Sequence, residues 1–275
     1  MTDLSRRDAL GWLGSAVLGG VLGAMGGTVA TARDGLAAKR PLKAQAAPPA
    51  WIPHKLDAAQ CAPLAHAGYW QDGLGCCYGV FEAMIGTMGR KYGAPYEQFP
   101  FHMMEVGKSG ISEWGTICGA LLGAASAFAL FWGRKERDPM VTELFRWYER
   151  TALPIYAPGA AGHGAVGPLP THVSGSVLCH LSVSTWCLAT GIDASSPKRG
   201  ERCSRVTADV AVKAIEIMNA KLDSGFAPRL SSKAEAGCLS CHGKGKASPI
   251  LKGRMDCTPC HSGSVHVQNK FRNHP

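Results

Sequence analysis

Two five-residue repeats near the C-terminus, Cys238-Leu239-Ser240-Cys241-His242 and Cys257-Thr258-Pro259-Cys260-His261, constrain this chain more than any other feature. Each reads C-x-x-C-H, the pattern for covalent attachment of a c-type haem. The chemistry requires that spacing. Two thiols a short turn apart reach the two vinyl groups of one porphyrin, and the next residue, His242 or His261, lies under the ring as proximal iron ligand. Two haem c groups per chain are therefore expected in a small, irregular segment over residues 226–275. The four cysteines also satisfy a zinc-ribbon spacing, because fifteen residues separate Cys241 from Cys257. Zinc accounts for four sulfurs but gives no reason for histidine at both following positions.

The N-terminus bears on which metal chemistry is available. Ser5-Arg6-Arg7-Asp8-Ala9-Leu10 is a twin-arginine signature, and a Gly/Ala-rich apolar stretch follows to about Ala32. Ala30-Thr31-Ala32 offers a small-x-small cleavage site, so residues 1–32 are expected to be a signal peptide and the mature protein periplasmic, with no membrane segment. An uncleaved anchor is the alternative, but the many glycines make the stretch only mildly hydrophobic. Twin-arginine substrates cross folded, often with a cofactor already inserted, whereas haem is attached to C-x-x-C-H after export. A chain with both signals is expected to hold two kinds of metal centre. The net charge of +9 does not read as nucleic-acid binding. The basic residues thicken after Lys233, but no aromatic or helical platform accompanies them. Lysines at a haem edge instead balance propionates or steer an acidic redox partner protein.

Between the two ends the chain reads as mainly α, a cysteine-rich helical domain with long loops over 61–225, preceded by a Pro/Ala/Lys-rich arm over 33–60. A helix begins at Gly75-Cys76-Cys77-Tyr78 and runs to Ile85. A second is expected from Gly115 to Trp132, with Gly115, Gly119 and Gly123 on one face that another helix can approach closely. Its apolar run of sixteen residues is too short for a membrane span and suits a core helix. Asp138-Pro139 reads as the cap and first residue of a third helix. A Pro/Gly-rich loop with His163 and His172 spans 154–176. A last helix is expected from Cys203 to Asp223, with Val206, Val210, Ala214 and Ile217 on one face and Gly225 as its stop. No stretch has a convincing strand pattern.

Seven of the eleven cysteines lie outside the paired motifs. Cys76, Cys118, Cys187 and Cys203 come from four separate segments, and four converging thiols suit an iron–sulfur cluster. Disulfides and buried inert thiols are the competing structural readings. Cys118-Gly119-Ala120-x-x-Gly123 resembles the core motif of the C_GCAxxG_C_C redox-active family. Gly75-Cys76-x-Tyr78-Gly79-Val80-Phe81 is similar to that family's first cysteine segment, and Cys187 and Cys203 are similar in order and setting to its last two cysteines. Joined to two C-x-x-C-H motifs, the arrangement resembles the split-Soret class of c-type cytochromes. The resemblance covers roughly Cys61 to His261. It implies a homodimeric periplasmic electron carrier with two close haems per chain and an iron–sulfur centre, [2Fe–2S] in type, at Cys76, Cys118, Cys187 and Cys203. It also implies bis-histidine haems, with some ligands donated across the dimer. Cys77, beside Cys76, and Cys179, beside His180, are extra thiols that could replace a presumed ligand.

The distal haem ligands are sought among the remaining histidines. His180 and His102 lie within the cysteine-bearing segments and are the first candidates. His163 and His172 follow, because a long loop can carry a ligand to a partner subunit. Met255 is the methionine alternative. No acid/base pair, nucleophile constellation or phosphate loop stands out, so an electron-transfer cytochrome is the leading reading. A haem or cluster reductase acting on a small acceptor is the rival, and it requires an open iron position.

Overall fold

The structure, a computed structural model, describes residues 51–224, 226–229, 233–249 and 253–256. The signal segment, Gly225, the second attachment motif at Cys257, Cys260 and His261, and the histidines His266 and His274 lie outside the described residues.

The first helix, α1 (Ala58–Trp70), starts where Asp57 accepts the backbone N–H groups of Ala59 and Gln60 on one carboxylate oxygen. Its inner face is small, with Ala62, Ala65 and Gly68. That face crosses α2 (Gly75–Phe81), a short helix in which every residue is buried. The two backbones touch at Gly68 and Gly79. A Cβ on Gly79 would sit 2.7 Å from Ala65 O, 2.9 Å from Tyr69 N and 2.9 Å from a Thr207 methyl. Two of those neighbours are backbone and cannot yield. Gly79→Ala is therefore expected to destabilise the protein by roughly 1–3 kcal/mol, read as a lower thermal midpoint with an unchanged helical spectrum. A π-helical turn (Glu82–Gly86) and α3 (Thr87–Tyr92) continue the α2 rod.

The next helix, α4 (Gly119–Phe131), lies on α2 for the same reason. Gly123 faces Cys77 O, and a Cβ on Gly119 would lie 2.6 Å from Cys76 Sγ. The expected helix over Gly115–Trp132 is thus shorter at its start. Gly115 has φ +67°, and Ile117 forms an antiparallel bridge with Leu178, so the chain is extended until Cys118. Helix α5 (Arg134–Arg150) also begins away from the expected Asp138-Pro139 cap. Gly133 O accepts from Glu136 and Arg137, so the helix is already under way one turn earlier, and Asp138 pairs with Arg137 instead of capping. Pro139 sits inside and leaves one carbonyl without its helical donor.

Strands β1 (Ala152–Leu153) and β2 (His172–Val173) pair antiparallel and close the long loop at its base. Two residues each are too few to leave a period in the sequence. Helix α6 (Cys179–Thr190) ends on Gly191 in the left-handed region. Helix α7 (Pro197–Ser224) is the spine of the fold and starts two turns before Cys203. Ser196 caps it through its hydroxyl to Arg199 N, and Pro197 takes the first helical position. Its buried face includes the expected Val206, Val210, Ala214 and Ile217. Helix α8 (Lys233–His242) follows. Near it the chain is tied to α5, where Glu143 accepts from Arg229 N at 2.8 Å and Arg254 donates to Thr142 at 3.2 Å. The fold is mainly α, as expected. Among the described residues no helix is long and apolar enough to cross a membrane.

Candidate metal centre

Four thiols are brought together by four elements. Cys76 comes from α2, Cys118 is the residue before α4, Cys179 opens α6, and Cys203 lies on α7. An unusual turn aligns the middle pair. Five consecutive residues, Ser109 to Glu113, have φ between 49° and 75°, and four of them are not glycine. Left-handed backbone costs an L-residue roughly 1–2 kcal/mol. Bonds across the turn hold it, with Gly115 N on Ser109 O and Thr116 N on Gly110 O, both 3.1 Å. Its exit strand then zips to the start of α6. Cys118 N donates to Val177 O at 2.8 Å, Cys179 N to Thr116 O at 2.6 Å and His180 N to Gly115 O at 3.1 Å.

The electrostatics single out one sulfur. Cys118 is held down to about 6 because the Cys76 S–H donates to it. Burial opposes this, while the Tyr148 hydroxyl, the Ala120 N–H and the Arg202 charge support it. The Ala120 contact falls short of a full capping bond, but Cys118 still sits at a helix N-terminus, which favours a thiolate. Cys76 is pushed well up, first by that same hydrogen bond and then by burial. Cys179 is pushed up to about 12 by burial, with the Cys118 and Cys203 sulfurs adding to the effect. Arg199 and Arg202 both donate to Cys203.

Arg202 shows that the site is built for negative charge. It is 2 % exposed, and among the described residues no carboxylate pairs with it. Its Nη2 donates to Ser182 at 2.9 Å, its guanidinium lies 5.9 Å from the Trp186 ring, and its Nε has no partner among the described residues. A buried cation with a spare donor is costly unless an anion faces it. Here the sulfurs of Cys203 and Cys118 face it, with Asp209 acting only as a more distant charge. Among the described residues no three His, Cys, Asp or Glu side chains stand close enough to grip a single ion. A cluster with its own bridging sulfides reaches ligands set wider apart than one ion does, so the donor set fits a cluster of that kind.

The structure places the remaining thiols differently. Cys187 is half-buried on the outer part of α6, where the Cys203 sulfur acts on it and burial raises it. Cys179, one of the two extra thiols in the sequence, is closer to the group: the electrostatic partners of Cys76 include Cys118, Cys203 and Cys179. Cys77 points the other way, against Gly107, and burial pushes it up to about 12. Cys61, on α1, is buried beside Thr87.

A separate buried network fastens the long loop to α7. Glu201, fully buried, accepts Arg205 Nε at 2.8 Å and His66 Nε2 at 3.1 Å on one oxygen. Its other oxygen accepts His163 N at 3.0 Å and Gly164 N at 3.3 Å. Burial pushes Glu201 up, but these donors outweigh it and hold the carboxyl below its ordinary value. Two turns further along α7, Asp209 accepts Ile155 N at 2.8 Å and Tyr156 N at 2.7 Å. For Asp209 burial wins, and its carboxyl is raised from 3.8 to about 6. A raised carboxyl binds its proton more tightly in the folded state. Its contribution is full below the ordinary value and is lost as pH rises through about 6. Urea denaturation of wild type and Asp209→Asn is expected to show the wild type losing up to about 3 kcal/mol relative to the variant between pH 4 and pH 7.

Three of the four histidine candidates are exposed, and His172 is half-buried. His180 is exposed, with Nδ1 3.4 Å from Ser184 Oγ, and packs against Gly115. His102 is exposed on a 3₁₀ segment (Phe101–Gly107), its ring 6.2 Å from Tyr78. His163 stacks on Trp70 at 5.2 Å, and His172 lies on β2.

The first attachment motif forms the end of α8. Cys238, Cys241 and His242 stand three and four residues apart, which puts them on one helix face. His242 Nδ1 lies 3.1 Å from Ser248 O, and Ser248 N donates back to Cys241 O at 2.9 Å. A carbonyl only accepts, so Nδ1 carries the proton and Nε2 carries the lone pair. That tautomer and fixed ring are what an iron ligand needs.

The chain is similar to proteins of a known redox family. The family described as "Putative redox-active protein (C_GCAxxG_C_C)" matches residues 76–217. Split-Soret cytochrome c of Desulfovibrio desulfuricans is 51% identical over 288 residues, covering 99% of this chain and 100% of that protein. A solved structure, described as a novel iron centre in the split-Soret cytochrome c of Desulfovibrio desulfuricans, superposes with a TM-score of 0.77 at 57% identity. It covers 82% of this chain and 95% of the other. The chain therefore belongs to the split-Soret cytochrome c family and is a cytochrome, an electron-transfer protein, on a C_GCAxxG_C_C framework.

Proposed function

We propose that the chain is a periplasmic dihaem electron carrier with an additional iron–sulfur centre, exported by the twin-arginine route and working as a homodimer with redox partner proteins. The observation that carries this reading is the end of α8, where Cys238, Cys241 and His242 share one face and Ser248 fixes the histidine ring. Cys238 and Cys241 would hold one haem and His242 its iron. Cys257, Cys260 and His261 would repeat the arrangement for the second. His180 and His102, both at the surface, remain the first candidates for distal ligands, within the chain or across a dimer.

The second centre would be held by Cys76, Cys118 and Cys203, with Cys179 better placed than Cys187 to complete the set. A [2Fe–2S] group supplies one-electron chemistry when bound. The chain's own part is to offer thiolates, compensate their charge with Arg199 and Arg202, and exclude water through the buried α2, α4 and α7 faces.

The test is a reduced-minus-oxidised visible spectrum of anaerobically prepared mature protein, with iron and acid-labile sulfide counted on the same sample. Two c-type haems per chain with extra iron and sulfide are expected. Two haems without sulfide would remove the second centre and return the upstream cysteines to packing. No haem bands, with stoichiometric zinc, would overturn the whole reading.

A further inference from the structure

We propose that Arg202 is a positioning residue that acts on the Cys118 sulfur through a directed chain of hydrogen bonds, Arg202 to Ser182 to Tyr148 to Cys118, and thereby raises the reduction potential of the centre held there. The inference rests on the reading of the four-thiol site as an iron–sulfur centre.

The direction of the chain follows from donor chemistry. Guanidinium has no acceptor, so Arg202 Nη2 donates to Ser182 Oγ, 2.9 Å away. Ser182 and Tyr148 hydroxyls are 2.7 Å apart, and either could donate. The Tyr148 hydroxyl also faces Cys118 and favours the anionic form of its sulfur. If the tyrosine gives its proton to sulfur, the serine must give its own to the tyrosine. Every proton then points from the cation towards Cys118, and each donor polarises the next.

Burial makes this arrangement matter. Tyr148 is fully buried, Ser182 is 1 % exposed and Arg202 is 2 % exposed. The charge is therefore little screened by solvent. Among the described residues no carboxylate forms an ion pair with Arg202, which Asp209 reaches only as a more distant charge, and its Nε is unpartnered. A structural arginine in a core normally has such a partner, as Arg205 has Glu201 at 2.8 Å only one turn along α7. The contrast between these two buried arginines is the evidence that Arg202 answers to the sulfurs. Hydrogen bonds to cluster sulfurs and nearby positive charge both favour the reduced, more negative state.

The experiment uses the full holoprotein and two conservative variants, Tyr148→Phe and Ser182→Ala. Each is followed by dye-mediated redox titration with electron paramagnetic resonance for the iron–sulfur signal and haem absorbance on the same sample. Tyr148→Phe is expected to lower the midpoint of the iron–sulfur signal by a factor of about ten in the reduction equilibrium, about 59 mV for one electron. Ser182→Ala keeps the tyrosine–sulfur bond but cuts the link to Arg202, so a smaller shift in the same direction is expected. The haem midpoints should stay in place. Both variants with full iron and sulfide and an unmoved midpoint would overturn the inference while leaving the centre intact. A wild type with no labile sulfide would instead remove the centre, and this inference with it. Should Tyr148→Phe fail to hold the centre, Ser182→Ala decides by the same criterion.

Discussion

Replacing Glu201 with alanine is expected to lower the stability of the protein by about 3–5 kcal/mol, the cost of leaving a buried charge without its partner. Glu201 is fully buried and takes five donors on two oxygens, from Arg205, His66, His163 N, Gly164 N and, at 3.5 Å, Ser204 Oγ. Arg205 keeps Gly167 O at 2.8 Å and Ala165 O at 2.9 Å, but those carbonyls carry no full charge. His66 is held in its neutral form by burial, so its Nε2–H is a donor that would be left facing a void. The loss therefore falls on both α7 and the loop it fastens. Thermal unfolding should show a midpoint roughly 6–20 °C lower, with limited proteolysis inside residues 154–176. Glu201→Gln keeps one oxygen and should lose less. The sign with pH follows from the lowered carboxyl: the ion-paired contribution is present above the ordinary glutamate value and fades as pH falls through the folded value. An Glu201→Ala protein within about 1 kcal/mol of wild type would show that the network is incidental.

The second large effect concerns α8. Exchanging both Cys238 and Cys241 for alanine is expected to remove one of two covalent haems, halving the pyridine haemochrome absorbance per chain. The second motif, Cys257, Cys260 and His261, would keep the other. Because Cys238, Cys241 and His242 lie on one face, loss of both thioether positions leaves His242 unable to retain a haem through denaturation and acid extraction. Ser248 orients His242 through a backbone carbonyl, so Ser248→Ala should leave the absorbance unchanged, which serves as the matched control. Unchanged haem content in the double variant would show that α8 is not an attachment site.

The attachment residues were legible from five letters because their spacing is local, but the segment was expected to be irregular, and the structure winds its first motif into α8. C-x-x-C-H on a helix puts all three groups on one side whatever the rest of the chain does. The α7 stripe was legible for the same reason, since Val206, Val210, Ala214 and Ile217 follow the helical period and are buried. The start of that helix was missed, and the signal was present: Ser196-Pro197 is the cap and first residue that Asp138-Pro139 only resembled. The two dipeptides look alike, and only the surrounding hydrogen bonds separate them.

The metal centre divides along the same line. Cys76, Cys118, Cys187 and Cys203 were proposed from four separate segments and a family resemblance, and of these the structure brings Cys76, Cys118 and Cys203 within electrostatic reach of one another. Gly79 and Gly119 each leave room for a neighbour's backbone or sulfur. The choice between Cys179 and Cys187, eight residues apart on one helix, depends on how α6 enters the fold. That entry is decided by the left-handed turn at Ser109–Glu113 and the Ile117–Leu178 bridge, an adjacency of residues some sixty positions apart. Arg202 carried no signal at all, since an arginine beside a cysteine reads as surface charge. Sequence by itself determined which chemical groups this protein has and, for α2, α4 and α7, roughly which helices stand beside them. Only the tertiary structure decided which sulfurs meet and which cation faces them, because burial and counter-charge are properties of the packed chain and of no segment taken alone.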